Sequence, residues 1–257
     1  MRINSTIYNL SLGVLAFFLP LALYIKTLAP TYIPIYSAEL ALCMKFWGIC
    51  HPPGFPLYIL VGNLFTSIFP FETLIFKANF LSAVFAAGTI LLVYLCLTEL
   101  KVQRAIALLL ALFLAVSAAF WEFSLSADVF TFGALLIALT FFLTFKNKPL
   151  WAFLALVLSA SHFYISAILA PLLVWYFFRE SEGQSIGESE SQNHQKVIYL
   201  GIGIFIRLFP AGSSLFAHAK ITPDQLGPCR RIIRLYLFCK KAGIRFDFSF
   251  GKSGFAV

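Results

Sequence analysis

Residues 78–97 read ANFLSAVFAAGTILLVYLCL, a run with no Asp, Glu, Lys or Arg. A helix needs about 20 mostly apolar residues to cross the hydrocarbon core of a bilayer. This stretch therefore predicts a transmembrane helix, and Lys101 and Arg104 follow it as polar anchors. The rest of the chain has the same character. Of 257 residues, 60% are hydrophobic and 12% charged, against about 45–50% and about 25% in a soluble domain. A soluble fold of this length cannot bury so much apolar surface, which excludes a soluble enzyme and a disordered chain alike. The fold class expected is all-α, a polytopic bundle of transmembrane helices.

Outward from that run, further apolar segments cover 7–29, 105–120, 129–145 and 150–178, with a short last one at 197–209. The first has only Arg2 before it and no small-residue cleavage site after it, so it reads as a retained helix rather than a signal peptide. The 150–178 run is too long for one ordinary crossing and is interrupted by Ser159, Ser161 and His162. Two short helices, 150–161 and 163–178, meeting near His162 explain it best. Residues 55–69 are apolar but bounded by Pro on both sides, and their length suits an interfacial helix. Residues 31–53 hold Pro34, Glu39, Lys45, Pro52 and Pro53 and form a first loop. Residues 179–196 are a polar loop rich in Ser, Glu, Gln and Gly.

Net charge is +8, yet from residue 218 onward eight Lys or Arg stand against two Asp. Most of the surplus thus sits in a basic tail within 211–257, for which no fold can be read. Basic residues beside lipid set topology or touch anionic head groups, so nucleic acid is not an expected partner. With the N-terminus in the cytoplasm and 55–69 on the far face, Arg2, Lys101, Arg104, Lys146, Lys148, Arg179 and Lys196 fall inside. Lys26, Lys45 and Lys77 fall outside, in keeping with the positive-inside rule. The localisation expected is multi-pass in a bacterial inner or plasma membrane.

This topology gathers the chemistry on the extracytoplasmic side. The first loop carries Glu39 and His51, the turn at 121–128 carries Glu122 and Asp128, and His162 marks the break. Ionisable groups at a membrane edge are candidate functional positions. Asp128 precedes an apolar run, so it reads equally as a helix N-cap or as a site residue. Glu122 beside Trp121 reads as an interfacial, solvated residue. His162 reads either as a core histidine bonded to a neighbouring Ser or as a ligand group. Lys45 reads as a solvated loop charge or as a cation for phosphate. Glu39 is the acid with the most apolar surroundings, within Ala38-Glu39-Leu40-Ala41-Leu42. His51-Pro52-Pro53-Gly54-Phe55-Pro56 is the most specific local feature. Its Pro and Gly content forbids helix and fixes a stiff turn. The five cysteines, Cys43, Cys50, Cys96, Cys229 and Cys239, show no metal-binding spacing. They read as small apolar fillers, with a Cys43–Cys50 pair open to an oxidising compartment. Neither a metal nor a cofactor is expected.

Several of these blocks also carry a resemblance. Thr27-Leu28-Ala29-Pro30-Thr31, Ser37-Ala38-Glu39 and Trp47-Gly48-Ile49-Cys50-His51-Pro52-Pro53-Gly54-Phe55-Pro56-Leu57-Tyr58 are similar to the N-terminal signature of one membrane family. It is the bacterial polytopic family related to the eukaryotic transmembrane protein O-mannosyltransferases. Asn79-Phe80-Leu81-Ser82-Ala83, Ala127-Asp128-Val129-Phe130-Thr131 and Ser161-His162 resemble its later blocks, in the same order. The resemblance implies a GT-C-like glycosyltransferase that takes a sugar from a polyprenyl-phosphate donor at the extracytoplasmic face. It implies Glu39 as catalytic base, with His51, Lys45, Asp128 and His162 binding the donor's sugar or phosphate. Pro52, Pro53, Gly54 and Pro56 would be its structural turn. Partners implied are the lipid-linked donor, membrane lipids and an acceptor protein or glycan. One departure matters: the family's Asp-Ser-Gly-Glu reads Tyr36-Ser37-Ala38-Glu39 here. A non-catalytic membrane scaffold is therefore an alternative reading. A transporter is a weaker one, because the spans carry few charges near the midplane, where transport sites lie.

Overall fold

A computed structural model describes residues 2–31, 36–52, 54–69 and 72–183. The expected 197–209 segment, the 211–257 tail, most of the 179–196 loop and Pro53 lie outside them. Among the described residues the chain is all-helical, without a strand. Its helices are α1 (Arg2–Thr27), α2 (Ser37–Phe46), α3 (Pro56–Ile68), α4 (Leu74–Glu99) and α5 (Arg104–Ala115). They continue with α6 (Ala118–Ser124), α7 (Val129–Phe145), α8 (Pro149–His162) and, after a 3-10 turn at Tyr164–Leu169, α9 (Ala170–Gly183).

The central element is α4, which packs against α1, α5 and α7. Its neighbours approach closely because the contact is made of small residues. Ala107, Ala111 and Ala115 recur every four residues on α5 and are fully or almost fully buried, as are Ala83, Ala86 and Ala87 on α4. Small residues at such seams let helix backbones come near in lipid, where dispersion contacts replace the hydrophobic effect as the driving force. Hydroxyls inside these helices are satisfied locally. Thr89, Thr140 and Thr144 each donate to the carbonyl four residues back. The outer faces are apolar instead. Phe113 is 74% exposed and Leu10 69%, which suits side chains that meet lipid.

Among the described residues, two helices, at Leu10–Thr27 and Leu74–Glu99, are long and apolar enough to cross a membrane. The segment expected as one span at 105–120 is instead a pair, α5 and α6, bent by 68° at Val116–Ser117. Ser117 is the hinge, its hydroxyl donating back to the Leu114 carbonyl at 2.8 Å. Helices α3, α7 and α8 are apolar but shorter than a full crossing. The first loop also differs from expectation, since ten of its residues fold as α2. The left-handed Trp47 after it fixes its C-terminal end. The polar run expected from 179 begins inside a helix, because α9 continues to Gly183.

Chain direction sorts the connections to two ends of the bundle. At one end Glu99 of α4 and Lys146 after α7 form an ion pair at 2.6 Å. At the other, the start of α4 meets the end of α1, the start of α7 and the end of α8. There Tyr24 donates to the Ala115 carbonyl at 2.9 Å and Trp121 Nε1 donates to Thr27 Oγ1 at 3.1 Å. Lys77 closes α3 by donating to the carbonyls of Thr66 and Phe69, both at 2.9 Å.

Candidate functional site

Glu39 lies in the first turn of α2, where a carboxylate is favoured by the free N–H groups of the helix start. Its two oxygens are both directed at His51. Oε1 accepts the His51 backbone N–H at 2.6 Å, and Oε2 lies 3.1 Å from His51 Nδ1. That second contact places a ring proton on Nδ1, facing the acid, with Nε2 turned away from it. Both side chains are one-third exposed, so the pair is open to an incoming molecule.

The turn that follows holds the imidazole. Gly54 donates to the His51 carbonyl at 2.8 Å and has φ 92°, which favours glycine. Phe55 is also left-handed, at φ 46°, a strained conformation for an aromatic residue. Pro56 then sits in the first turn of α3, where its missing N–H costs nothing. The strain aims the Phe55 ring inward. Phe55 is 5% exposed, with ring centroids 5.4 Å from His51 and 5.6 Å from His162. One ring therefore joins the two histidines that lie far apart in sequence. On the outer side, Tyr36 stacks over His51 at 4.5 Å with a 30° tilt.

His162 ends α8 and is 1% exposed. Its partner is not a serine: Nε2 donates to the Val129 carbonyl at 2.9 Å. Nδ1 is then a buried acceptor without a protein partner. The neighbouring serines bridge the break themselves, with Ser159 bonding Ser166 at 3.0 Å and Ser166 bonding the Phe163 carbonyl at 2.6 Å. Gly133 lets α7 approach this point. A Cβ there would stand 3.0 Å from the Phe163 ring and 3.5 Å from His162.

Asp128 is the N-cap of α7, and its Oδ1 accepts from Phe130 N at 2.8 Å. Capping does not exclude a role in the site, because the group is half-buried and feels the charge of His51. Burial pushes its carboxyl up to about 6, while backbone hydrogen bonds and His51 pull the other way. Glu122 is exposed. Lys45 stays apart from the group. It is exposed, its Nζ lies 5.6 Å from the Phe46 ring centroid, and it points about 120° around α2 from Glu39.

Sequence reasoning missed Asn79 and Ser82 as organisers of this end. Asn79 is fully buried; its Nδ2 donates to the carbonyls of Ala29 and Thr31 at 2.9 and 3.3 Å, and its Oδ1 accepts from Ala127 N at 2.8 Å. Ser82 accepts from Asp128 N at 3.1 Å and meets the Tyr58 hydroxyl at 3.5 Å. A lone amide in the uncharged apolar run 78–97 was the signal available.

The helices and this polar end together define a helical membrane protein that gathers an acid, a capping carboxylate and two imidazoles where its elements converge. Residues 37–186 match the family described as the Protein O-mannosyl-transferase TMEM260 N-terminal domain, and the chain belongs to that family. It is thus a glycosyltransferase-like membrane protein. Among relatives, Protein O-mannosyl-transferase TMEM260 of Mus musculus is 31% identical over 110 residues, 43% of this chain. Protein O-mannosyl-transferase tmem260 of Dictyostelium discoideum is 27% identical over 132 residues, 51% of this chain. Each match spans 16% of the relative's own length. No solved structure matches the chain.

Proposed function

We propose that the chain carries the donor and acceptor site of a GT-C-like glycosyltransferase, moving a sugar from a polyprenyl-phosphate donor to a hydroxyl at the extracytoplasmic face. The observation that carries this reading is the Glu39–His51 pair, half-open at the end of the bundle and hydrogen-bonded through both carboxylate oxygens. Inverting transfer needs a group to take the acceptor proton as the new glycosidic bond forms. Glu39 supplies it, and each of its oxygens keeps a second lone pair beyond the bond to His51. His51 holds the carboxylate in place meanwhile, donating its backbone N–H to one oxygen and its Nδ1–H to the other. The Asp128 carboxylate and the buried Nδ1 of His162 are acceptors for sugar hydroxyls, and His51 Nε2 binds the sugar beside them. Lys45 sits farther out, where a phosphate at the lipid head-group level would pass. In this reading the multi-pass topology has the N-terminus in the cytoplasm, and the acceptor is a protein, as the names of the relatives indicate.

A second reading rests on Tyr36. It stands where the resemblance places an Asp, and its ring covers His51. A scaffold that has lost transfer would look like this. Proteoliposomes loaded with a polyprenyl-phosphate mannose donor and a hydroxyl acceptor peptide separate the two. Transfer that falls about 100-fold or more in Glu39→Gln supports the enzyme. A Glu39→Gln rate equal to that of the unaltered chain sinks the assignment of the base. Absence of transfer in both the unaltered chain and Tyr36→Asp supports the scaffold.

A further inference from the structure

Glu39 has neighbours that sugar transfer does not use. Cys43 lies four residues on, so it shares the face of α2 that carries Glu39. Helix α2 then ends at the left-handed Trp47, and Gly48 donates to the Cys43 carbonyl at 3.0 Å. The chain folds so tightly here that a Cβ on Gly48 would stand 3.4 Å from both Cα and Sγ of Cys43. This reversal carries Cys50 back over the helix. One carboxylate oxygen of Glu39 and the Sγ atoms of Cys43 and Cys50 all lie within 4.8 Å of one another. The two sulfurs are buried, at 6% and 1% residue exposure, while the carboxylate faces the opening.

We propose that Glu39, Cys43 and Cys50 form a binding site for a divalent cation of the zinc class. Zinc takes thiolate sulfur at about 2.3 Å and carboxylate oxygen at about 2.0–2.2 Å, in a tetrahedron. Donors around such a centre stand roughly 3.3–3.8 Å apart, so the trio needs only a small contraction to close on one ion. Three protein donors leave a fourth position. Water fills that position, since His51 Nδ1 carries the proton it gives to Glu39 Oε2. The donor set selects the metal. Two sulfurs disfavour magnesium and calcium, which take oxygen ligands, and favour zinc. Binding converts two thiols to thiolates and releases two protons per ion. A Cys43–Cys50 disulfide would use the same sulfurs, but it gives no part to the carboxylate that completes the trio.

With Glu39 as the base of the proposed transfer, the ion also bears on that reaction. A metal on one carboxylate oxygen withdraws charge from the whole group and makes its remaining lone pairs weaker bases, so occupancy slows transfer. The test of the site itself needs no transfer. The full chain, reduced and in detergent, is titrated with cobalt(II) as the coloured stand-in, then with zinc. One equivalent is expected to give a near-ultraviolet thiolate-to-cobalt band with the visible bands of a tetrahedral ion, and zinc then abolishes both. Cys43→Ser and Cys50→Ser each halve the band and weaken binding by about tenfold or more. Glu39→Gln keeps the band and weakens binding, whereas Cys229→Ser and Cys239→Ser change neither. Should the cysteine variants fail to fold, mass-mapped alkylation of the unaltered chain decides: zinc must slow modification of Cys43 and Cys50. A stoichiometric titration without a thiolate band overturns the site. So does a band that survives both cysteine variants, or a Cys43–Cys50 disulfide in protein isolated without reductant. Cobalt binding with no transfer in any preparation sinks the transfer reading alone, and transfer without cobalt binding sinks this one alone.

Discussion

The two ends of helices α4 and α7 solve the same problem in opposite ways. At the end where they finish, charge is left outside. Glu99 and Lys146 meet across the helix termini with Lys146 nearly half-exposed, Lys101 and Lys148 lie on the connections beside them, and Arg104 opens α5. At the end where they begin, polar groups are drawn in. Asn79 and His162 are fully or almost fully buried, and Asp128 and Glu39 are half-buried. A helix end that needs only to stop can use solvated cations and one surface pair. Burying an amide, an imidazole and a strained Phe55 carries a desolvation and conformational cost. Such a cost is borne where the groups have something to bind, which is why the chemistry is assigned to this end.

The comparison breaks outright if both ends face the same compartment. Cysteines introduced at Trp47 and at Lys101 or Lys148 are expected to react with a membrane-impermeant maleimide from opposite sides of sealed vesicles. Labelling of all three from one side would separate the two ends from any membrane and remove the outer-face site. The next largest effect concerns stability. Asn79→Leu keeps the volume but strips partners from the carbonyls of Ala29 and Thr31 and from the Ala127 N–H. Buried groups left unpaired cost about 1–3 kcal/mol each, partly recovered by relaxation, so a loss of about 2–4 kcal/mol is expected. Thermal unfolding in detergent reads it; an unchanged midpoint would show that Asn79 does not tie these three segments together.

The all-helical class was legible because apolar runs and their Pro, Lys and Arg boundaries are local properties. That Ser and His interrupt the oily run was equally legible, and α8 ends at His162, but a 3-10 turn follows where a second helix was expected to start, and α9 begins only at Ala170. Three further features were not legible. The helix in 37–46 was hidden because Pro and charge nearby spoke for a loop, whereas its end depends on the left-handed backbone of Trp47. The bend after Ala115 depends on how α6 meets α1 through Trp121 and Thr27, a contact 94 residues apart. The organising role of Asn79 depends on partners 48 to 50 residues away. For the site, composition and motif pointed to Glu39, His51, Asp128 and His162, but only tertiary structure puts the Phe55 ring between the imidazoles and sets Lys45 aside. The sulfurs beside Glu39 were read as fillers because their spacing, seven residues, follows no metal motif until the chain reverses at Gly48.

Asp128 sharpens the contrast through pH. Its carboxyl is raised from the ordinary 3.8 to about 6 by burial. Between those values the folded protein holds a proton that the unfolded chain has released, so stability falls as pH rises through the window and levels above it. Transfer runs the other way, because the carboxylate that grips a hydroxyl forms only as pH passes about 6. Asp128→Asn is expected to flatten both slopes while its Oδ1 still caps α7. A thermal midpoint with no pH trend between 4 and 6.5 in the unaltered chain (about the window of the shift) would remove Asp128 from the site and leave it a cap.

The smallest effect expected is at the opposite end. The Glu99–Lys146 pair is short, at 2.6 Å, yet its lysine is 45% exposed and its acid 27%. Water screens such a pair, and holding two long side chains in one geometry costs entropy, so its coupling should be less than about 1 kcal/mol. A double-mutant cycle with Glu99→Gln and Lys146→Met, read by unfolding in detergent, measures it, and raising salt should shrink it further. The same variants should leave sugar transfer within about twofold, since neither residue approaches Glu39 or His51. A coupling of several kcal/mol, or a large loss of transfer, would mean that this end is no simple solvated terminus. The inward-turned polar cluster would then no longer distinguish one end of the bundle from the other.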